Sequence, residues 1–304
     1  MKRDVLRLRD LGRDEAYAIL TLAGRLKTKL RAGRPHPLLA GRTLAMIFEK
    51  PSPRTRVTFE VGMSQLGGAA IHLAPGDIKL GERESPGDIA RNLERWVDII
   101  MARVFSHRSV VDLAAAARVP VINGLSDLHH PCQVLSDCFT LRERRGKLDG
   151  LRVAFVGDGN NMVHSWMDAA ALFGFEFVLA CPRGFEPDAT IVAESGPRVS
   201  VTHDARAAVR GADVVYTDVW TSMGQEAEVD ARRAAFRPYQ LNERLVSLAA
   251  ADALVMHCLP AHRGEEITDA VLDGPQSVVF DQAENRLHVQ KGVLVWLNQQ
   301  MGRH

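Results

Sequence analysis

The stretch that decides the fold runs from Arg152 to Phe173 and reads RVAFVGDGNNMVHSWMDAAALF. Arg152–Val156 is a short apolar run of the kind found in a buried strand, and Gly157-Asp158-Gly159-Asn160-Asn161 is a polar turn. Met162–Phe173 then carries apolar residues at helical spacing. A strand, a glycine turn and a helix in that order begin a βαβ unit, and parallel sheets bind their ligands at this strand-to-helix edge.

Outward from it the pattern repeats on both sides. Downstream, strands are expected at Phe177–Ala180, Val214–Thr217, Leu254–His257 and Ser277–Phe280, with Leu241–Ala250 as one of the intervening helices. Upstream, strands are expected at Thr43–Phe48, Ala69–Leu73, Asp98–Ala102 and Val119–Ile122. Helices there are expected at Asp14–Leu30, Thr55–Leu66, Asp88–Val97 and Pro131–Arg145. The polar run Arg142–Asp149 separates the two sets. The expectation is an α/β protein with two doubly wound parallel-sheet domains joined by interdomain helices, residues 1–147 and 148–286. A last helix, Leu287–Gln299 within 287–304, has apolar residues at Leu287, Val289, Val293, Leu294 and Leu297 and is expected to pack back on the first domain.

Composition narrows the function. The 304 residues are 46% hydrophobic, 25% charged and 6% aromatic, ordinary for a globular protein and enough for about two domains. Lys and Arg number 38 against 37 Asp and Glu, so there is no bulk field for nucleic acid or an anionic membrane. No apolar stretch of membrane-spanning length occurs, and Met1–Gly12 offers no apolar leader. Cys132, Cys138, Cys181 and Cys258 form no CxxC pair and read as reduced thiols, which makes a cytoplasmic protein the expectation.

After the strand ending at Phe48, the chain reads Glu49-Lys50-Pro51-Ser52-Pro53-Arg54-Thr55-Arg56 and enters a helix. Backbone N–H groups and partial positive charge at a helix start, joined by two arginines, make a phosphate cradle. The same residues would serve equally as an N-cap with two solvated arginines, and local spacing does not choose.

Four ordered segments decide between these readings. Ser52–Arg56 resembles the S-T-R-T-R motif of the transcarbamoylases, and Leu128-His129-His130-Pro131-Cys132-Gln133 resembles their H-P-x-Q segment. Asp218-Val219-Trp220-Thr221-Ser222-Met223-Gly224 is similar to the S-M-G loop of the ornithine-specific members, and His257-Cys258-Leu259-Pro260 to their H-C-L-P segment. The resemblance spans about Leu44 to Trp296. It implies transfer of the carbamoyl group of carbamoyl phosphate to the δ-amine of L-ornithine, giving L-citrulline and phosphate, without cofactor or metal. It further implies a homotrimer or a multiple of trimers, with no nucleic-acid or membrane partner.

The resemblance also implies roles. Ser52, Pro53, Arg54, Thr55, Arg56, Lys79 and Arg103 stand at the phosphate, whereas His130 and Gln133 bond the carbamoyl oxygen and nitrogen. Cys258 lies beside the reacting amine, the Leu259 carbonyl contacts the carbamoyl nitrogen, and Arg286 reaches the carbamoyl group. Arg103, His130, Cys258 and Arg286 form the catalytic set, with Cys258 positioning rather than attacking. Asn161, Asp218, Ser222 and Met223 hold ornithine, while Asp158 and Asn160 read as turn formers.

Two positions depart from the family pattern. Pro53 has no N–H to offer where the family has Thr, and Lys79 stands in Asp77-Ile78-Lys79-Leu80-Gly81 where ornithine enzymes commonly carry Gln. In the family this last loop reaches a neighbouring subunit's phosphate site. Rival readings fit less well. A dinucleotide fingerprint needs a third glycine where Met162 stands, and His257, His262, Glu265 and Glu266 match no zinc spacing. Against a sister enzyme acting on acetylornithine, putrescine or aspartate, the combination of Asp218 with Ser222-Met223-Gly224 favours free ornithine, since an acid suits a free α-ammonium that acetylation would remove.

Overall fold

The computed structural model describes residues 2–221 and 228–301, and the chain divides into two compact units, 1–139 with 284–304 and 140–283. In chain order the first unit holds α1 (Arg13–Arg31), β1 (Thr43–Phe48), α2 (Pro53–Gln65), β2 (Ala69–Leu73), α3 (Pro75–Ile78) and α4 (Pro86–Leu93). It continues with β3 (Ile99–Arg103), α5 (His107–Ala116), β4 (Val121–Leu125) and α6 (Pro131–Arg145). The second unit holds β5 (Arg152–Val156), α7 (Asn161–Phe173), β6 (Glu176–Ala180), α8 (Ala189–Glu194), β7 (Val199–Thr202), α9 (Ala205–Val209) and β8 (Val214–Thr217). It ends with α10 (Val229–Phe236), α11 (Glu243–Val246), β9 (Leu254–His257), α12 (Asp269–Leu272) and the start of α13 (Val279–Met301). The divisions fall inside α6 and α13.

Among the described residues each unit has one wholly parallel sheet, ordered β2-β1-β3-β4 in the first and β7-β6-β5-β8-β9 in the second. In both, the chain steps outward on one side of its first strand and then crosses to the other. That reversal opens a crevice at the carboxyl ends of β1 and β3, and another at β5 and β8. The central strands β1, β3 and β5 are almost entirely buried and mainly apolar, with polar residues only at their ends, Thr43, Arg103 and Arg152.

Three expectations need correction. Ser277–Phe280 is not a strand: Ser277 makes only an isolated bridge to Val255, and Val279 already opens α13. An apolar run of four does not distinguish a strand from a buried helix start. The helix expected over Leu241–Ala250 shortens to α11, because Asn242 caps it at one end and Ala249 and Ala250 turn back to bond Val246 and Ala212. Finally, β7 was not expected: its four residues are half-exposed on a sheet edge, so they lack the apolar pattern that marks a strand.

The second unit's core is built on Trp166, fully buried in α7, with ring centroids 5.7 Å from Phe175, 6.2 Å from Phe177 and 5.3 Å from Tyr216. Tyr216 in turn stacks on Phe155 at 5.2 Å, so one aromatic set joins α7 to three adjacent strands. Trp166→Ala is expected to lower unfolding stability by about 3–5 kcal/mol, read as a shift of the urea midpoint without a change in slope.

Candidate active site

In the first unit, the crevice residues are set by how β1 and β3 end. Phe48 pairs in register with Arg103, the Glu49 N–H donates to the Arg103 carbonyl at 2.9 Å, and the Phe105 N–H donates to Glu49 Oε2 at 2.7 Å. The two strand exits are therefore locked side by side. Ser52 caps α2, its Oγ accepting the Thr55 N–H at 3.3 Å, and Pro53 occupies the first helical position. A proline there is preset for the helix but removes one of the unpaired N–H donors that an anion would use.

Arg54 is half-buried, Thr55 buried and Arg56 exposed, the last tied to Glu60 by Nε to Oε1 at 2.9 Å. Arg286, buried on α13, donates to Thr55 Oγ1 at 2.9 Å. Arg103 is buried at the end of β3. His130 and Gln133 are buried at the start of α6, and Gln133 Nε2 donates to Asp137 at 2.9 Å.

These groups meet around His130. Burial, then the charges of Arg286, Arg103 and Arg54, hold its pKa well below the usual imidazole range. His130 is thus a neutral imidazole at neutral pH, able to donate one hydrogen bond without a charge of its own. Lys50, which the sequence offered no reason to single out, is also buried here, with Nζ 4.4 Å from the Phe105 ring centroid. Lys79 stands elsewhere: exposed, in the left-handed conformation that ends α3, and not among the charges acting on His130.

In the second unit, the loops after β5, β8 and β9 converge. Asp218 is buried just past β8; its Oδ1 accepts the Cys258 thiol at 2.9 Å and the Val219 N–H at 2.8 Å. Its Oδ2 accepts Asn160 Nδ2 at 3.2 Å. Asn160 is therefore more than a turn former, since it caps α7 through its oxygen and orients Asp218 through its nitrogen. Asn161, half-buried, begins α7. Gly159 is required here, because a Cβ would lie 2.4 Å from Pro187 N and 2.7 Å from Phe185 O, both backbone atoms. Ser222 and Met223 lie outside the described residues.

Arg232 is a neighbour of these loops that the local sequence, Arg232-Arg233, does not signal. It is buried, with NH2 2.6 Å from Asp158, Nε donating to the Trp220 carbonyl at 2.6 Å, and its guanidinium 4.8 Å over the Phe185 ring. Burial pushes the Asp158 carboxyl up to about 6, against the pull of Arg232.

Leu259 adopts φ +57, a conformation leucine rarely takes. Its N–H donates to His257 Nδ1 at 2.8 Å, while His257 Nε2 lies 3.0 Å from Glu266 Oε1. This pair is fully buried and fixes His257 as the Nε2–H tautomer. Asp218, His257 and Cys258, and separately His262, Glu265 and Glu266, place metal-ligand atoms within 4.8 Å. In the first trio His257 Nδ1 accepts from the Leu259 N–H, His257 Nε2 faces Glu266, and the Cys258 thiol donates to the Asp218 carboxylate, so each group is already engaged.

Residues 3–143 match the carbamoyl-P binding domain model of the aspartate/ornithine carbamoyltransferases, and residues 149–297 match the Asp/Orn binding domain model. The chain belongs to the aspartate/ornithine carbamoyltransferase family. It is 55% identical to an ornithine carbamoyltransferase of Syntrophus aciditrophicus over 97% of this chain and 99% of that one. It is 54% identical to the anabolic ornithine carbamoyltransferase of Pyrococcus furiosus over 96% of this chain and 95% of that one. The solved ornithine carbamoyltransferase structure from Pyrococcus furiosus superposes with TM-score 0.92, covering 96% of each chain.

A family member with a neutral, buried His130 has a distinct response to acid. Below pH 6.5 the unfolded chain takes up a proton that the folded chain excludes, so stability falls as pH drops. His130→Asn is expected to lose less stability than the parent between pH 6.5 and 5, by no more than about 2 kcal/mol, in denaturant titrations at each pH.

Proposed function

We propose that the residues gathered at the two sheet edges carry the reaction as follows. The chain transfers the carbamoyl group of carbamoyl phosphate to the δ-amine of L-ornithine, giving L-citrulline and phosphate. The unit of residues 1–139 and 284–304 binds carbamoyl phosphate, and the unit of residues 140–283 binds ornithine. The observation that carries this assignment is the convergence of Arg54, Arg103 and Arg286 on a neutral His130, a cationic pocket suited to a small dianion.

Ser52, Arg54, Thr55, Arg56 and Arg103 take the phosphate, with Lys79 acting there from a neighbouring copy. Pro53 shapes the helix start without donating. His130 donates to the carbamoyl oxygen and Gln133 bonds the carbamoyl nitrogen, while Arg286 and the Leu259 carbonyl orient the same group. The amine lone pair forms the new C–N bond as the C=O electrons move to oxygen, and His130 stabilises that oxyanion. Collapse of the tetrahedral intermediate breaks the C–O bond to phosphate, and the amine nitrogen releases its proton.

Asp218 binds the α-ammonium, and Asn161, Ser222 and Met223 complete the amino-acid site. The Cys258 thiol, already bonded to Asp218, positions the reacting amine and makes no covalent bond to substrate. Citrulline formation in the arginine-building direction accords with the anabolic relative. A homotrimer is supported by Val57 and Val61 on α2 and Ile71 on the edge strand β2, which are 53%, 38% and 49% exposed. The four unbridged cysteines fit a reducing cytoplasm, and no helix among the described residues is long and apolar enough to cross a membrane.

Purified protein supplied with carbamoyl phosphate and, separately, ornithine, acetylornithine, putrescine or aspartate is expected to release phosphate and a carbamoylated product with ornithine alone. Product from another amine would overturn the ornithine assignment. Arg54→Ala should raise KM for carbamoyl phosphate about tenfold to a hundredfold, and Asp218→Asn should lower kcat/KM for ornithine by a similar factor. Because an alkyl ammonium titrates near about 10.4, the rate at subsaturating ornithine should climb from pH 6 to 9. A flat profile would exclude attack by the free amine as the limiting feature.

A further inference from the structure

Helix α13 grips α2 at two places within the first unit. Arg286 donates to Thr55 in the first turn of α2, and five residues on, Lys291 Nζ donates at 2.7 Å to Oε1 of Gln65, the last residue of α2. Nζ also lies 3.2 Å from His36 Nε2. His36 Nδ1 sits 2.9 Å from the Arg34 carbonyl, so Nδ1 carries the proton and Nε2 accepts from the lysine. Gly62 allows this approach, since a Cβ there would come within 3.3 Å of Lys291 Cγ.

Lys291 is fully buried, and no carboxylate pairs with it among the described residues. Burial holds its pKa down to about 8. Enclosing an ammonium with only neutral acceptors costs stability, and an apolar residue of similar length would fill the same space more cheaply. The feature that its bonds specify is geometry. Phe59 and Met63 bury one face of α2, the bond at Thr55 fixes its first turn, and a second bond ten residues along, about 15 Å away, fixes its last residue.

We propose that Lys291, with Gln65 and His36, is a positioning residue for the phosphate site, fixing the placement of α2 so that Ser52, Arg54, Thr55 and Arg56 meet the anion in register. This inference rests on the assignment of those residues to carbamoyl phosphate. Anion sites of this kind require donors placed to within about 0.5 Å, which is the scale that a loosened helix end would exceed.

The test is steady-state kinetics on the full chain, with inorganic phosphate as a competing probe. Lys291→Met and Gln65→Leu should each raise KM for carbamoyl phosphate and the inhibition constant of phosphate about tenfold, while KM for ornithine stays unchanged. Gln65→Glu keeps an acceptor opposite Nζ and should hold both constants within about twofold of the parent. A purely structural lysine would lower the yield of folded enzyme and hence apparent kcat, leaving both constants alone; that result would overturn the inference. If Lys291→Met fails to fold, Gln65→Leu decides by the same criterion. Arg54→Ala separates the two assignments: if it leaves KM for carbamoyl phosphate unchanged, the phosphate-site assignment itself falls. If it raises KM while Gln65→Leu does not, only the positioning role falls.

Discussion

Three guanidiniums brought together around one buried imidazole repel each other, and that repulsion organises the first unit. Arg54 comes from the start of α2, Arg103 from the end of β3 and Arg286 from α13, so no local segment could assemble them. The surrounding structure must hold them against their mutual charge; Thr55 Oγ1 accepts from Arg286, and the Glu49 N–H bonded to the Arg103 carbonyl locks the strand exits. A bound dianion would relieve the repulsion, so the same charge that costs stability supplies affinity. His130 stays neutral because its burial disfavours the charged ring and because protonation would add a fourth cation beside Arg286, Arg103 and Arg54.

The second unit solves a different problem with the same topology. Its crevice gathers an acid rather than cations, and Asp218 is held by a thiol, an amide and a backbone N–H instead of an ion pair. Arg232, which could have neutralised it, is instead committed to Asp158 and to the Trp220 carbonyl. Both crevices lie where the strand order reverses, because only there do adjacent loops diverge enough to leave space for a small molecule.

The fixed points behind these sites are backbone features that tolerate little change. Gly159 has backbone atoms where a Cβ would stand, and Leu259 is held at φ +57 by the bond from its N–H to His257. His257 can accept that bond because its ring proton sits on Nε2, where it donates to Glu266. The arrangement links the Leu259 backbone to a fully buried pair, His257 and Glu266, that lie nine residues apart in sequence.

The sequence by itself determined the parallel α/β class, most strands to within two residues, and the four motifs, because alternating apolar runs, glycine turns and helix starts are local patterns. It could not place Ser277–Phe280, where an apolar run opened a helix, nor β7, whose half-exposed edge residues carry no strand pattern. Asn160 read as a turn residue because its bond to Asp218 crosses 58 positions. Arg232 and Lys291 are buried, and nothing near them in sequence records it. Only the tertiary structure decided those roles: burial, ion pairing and the neutrality of His130 arise from groups distant in the chain, whereas periodicity reports only on neighbours.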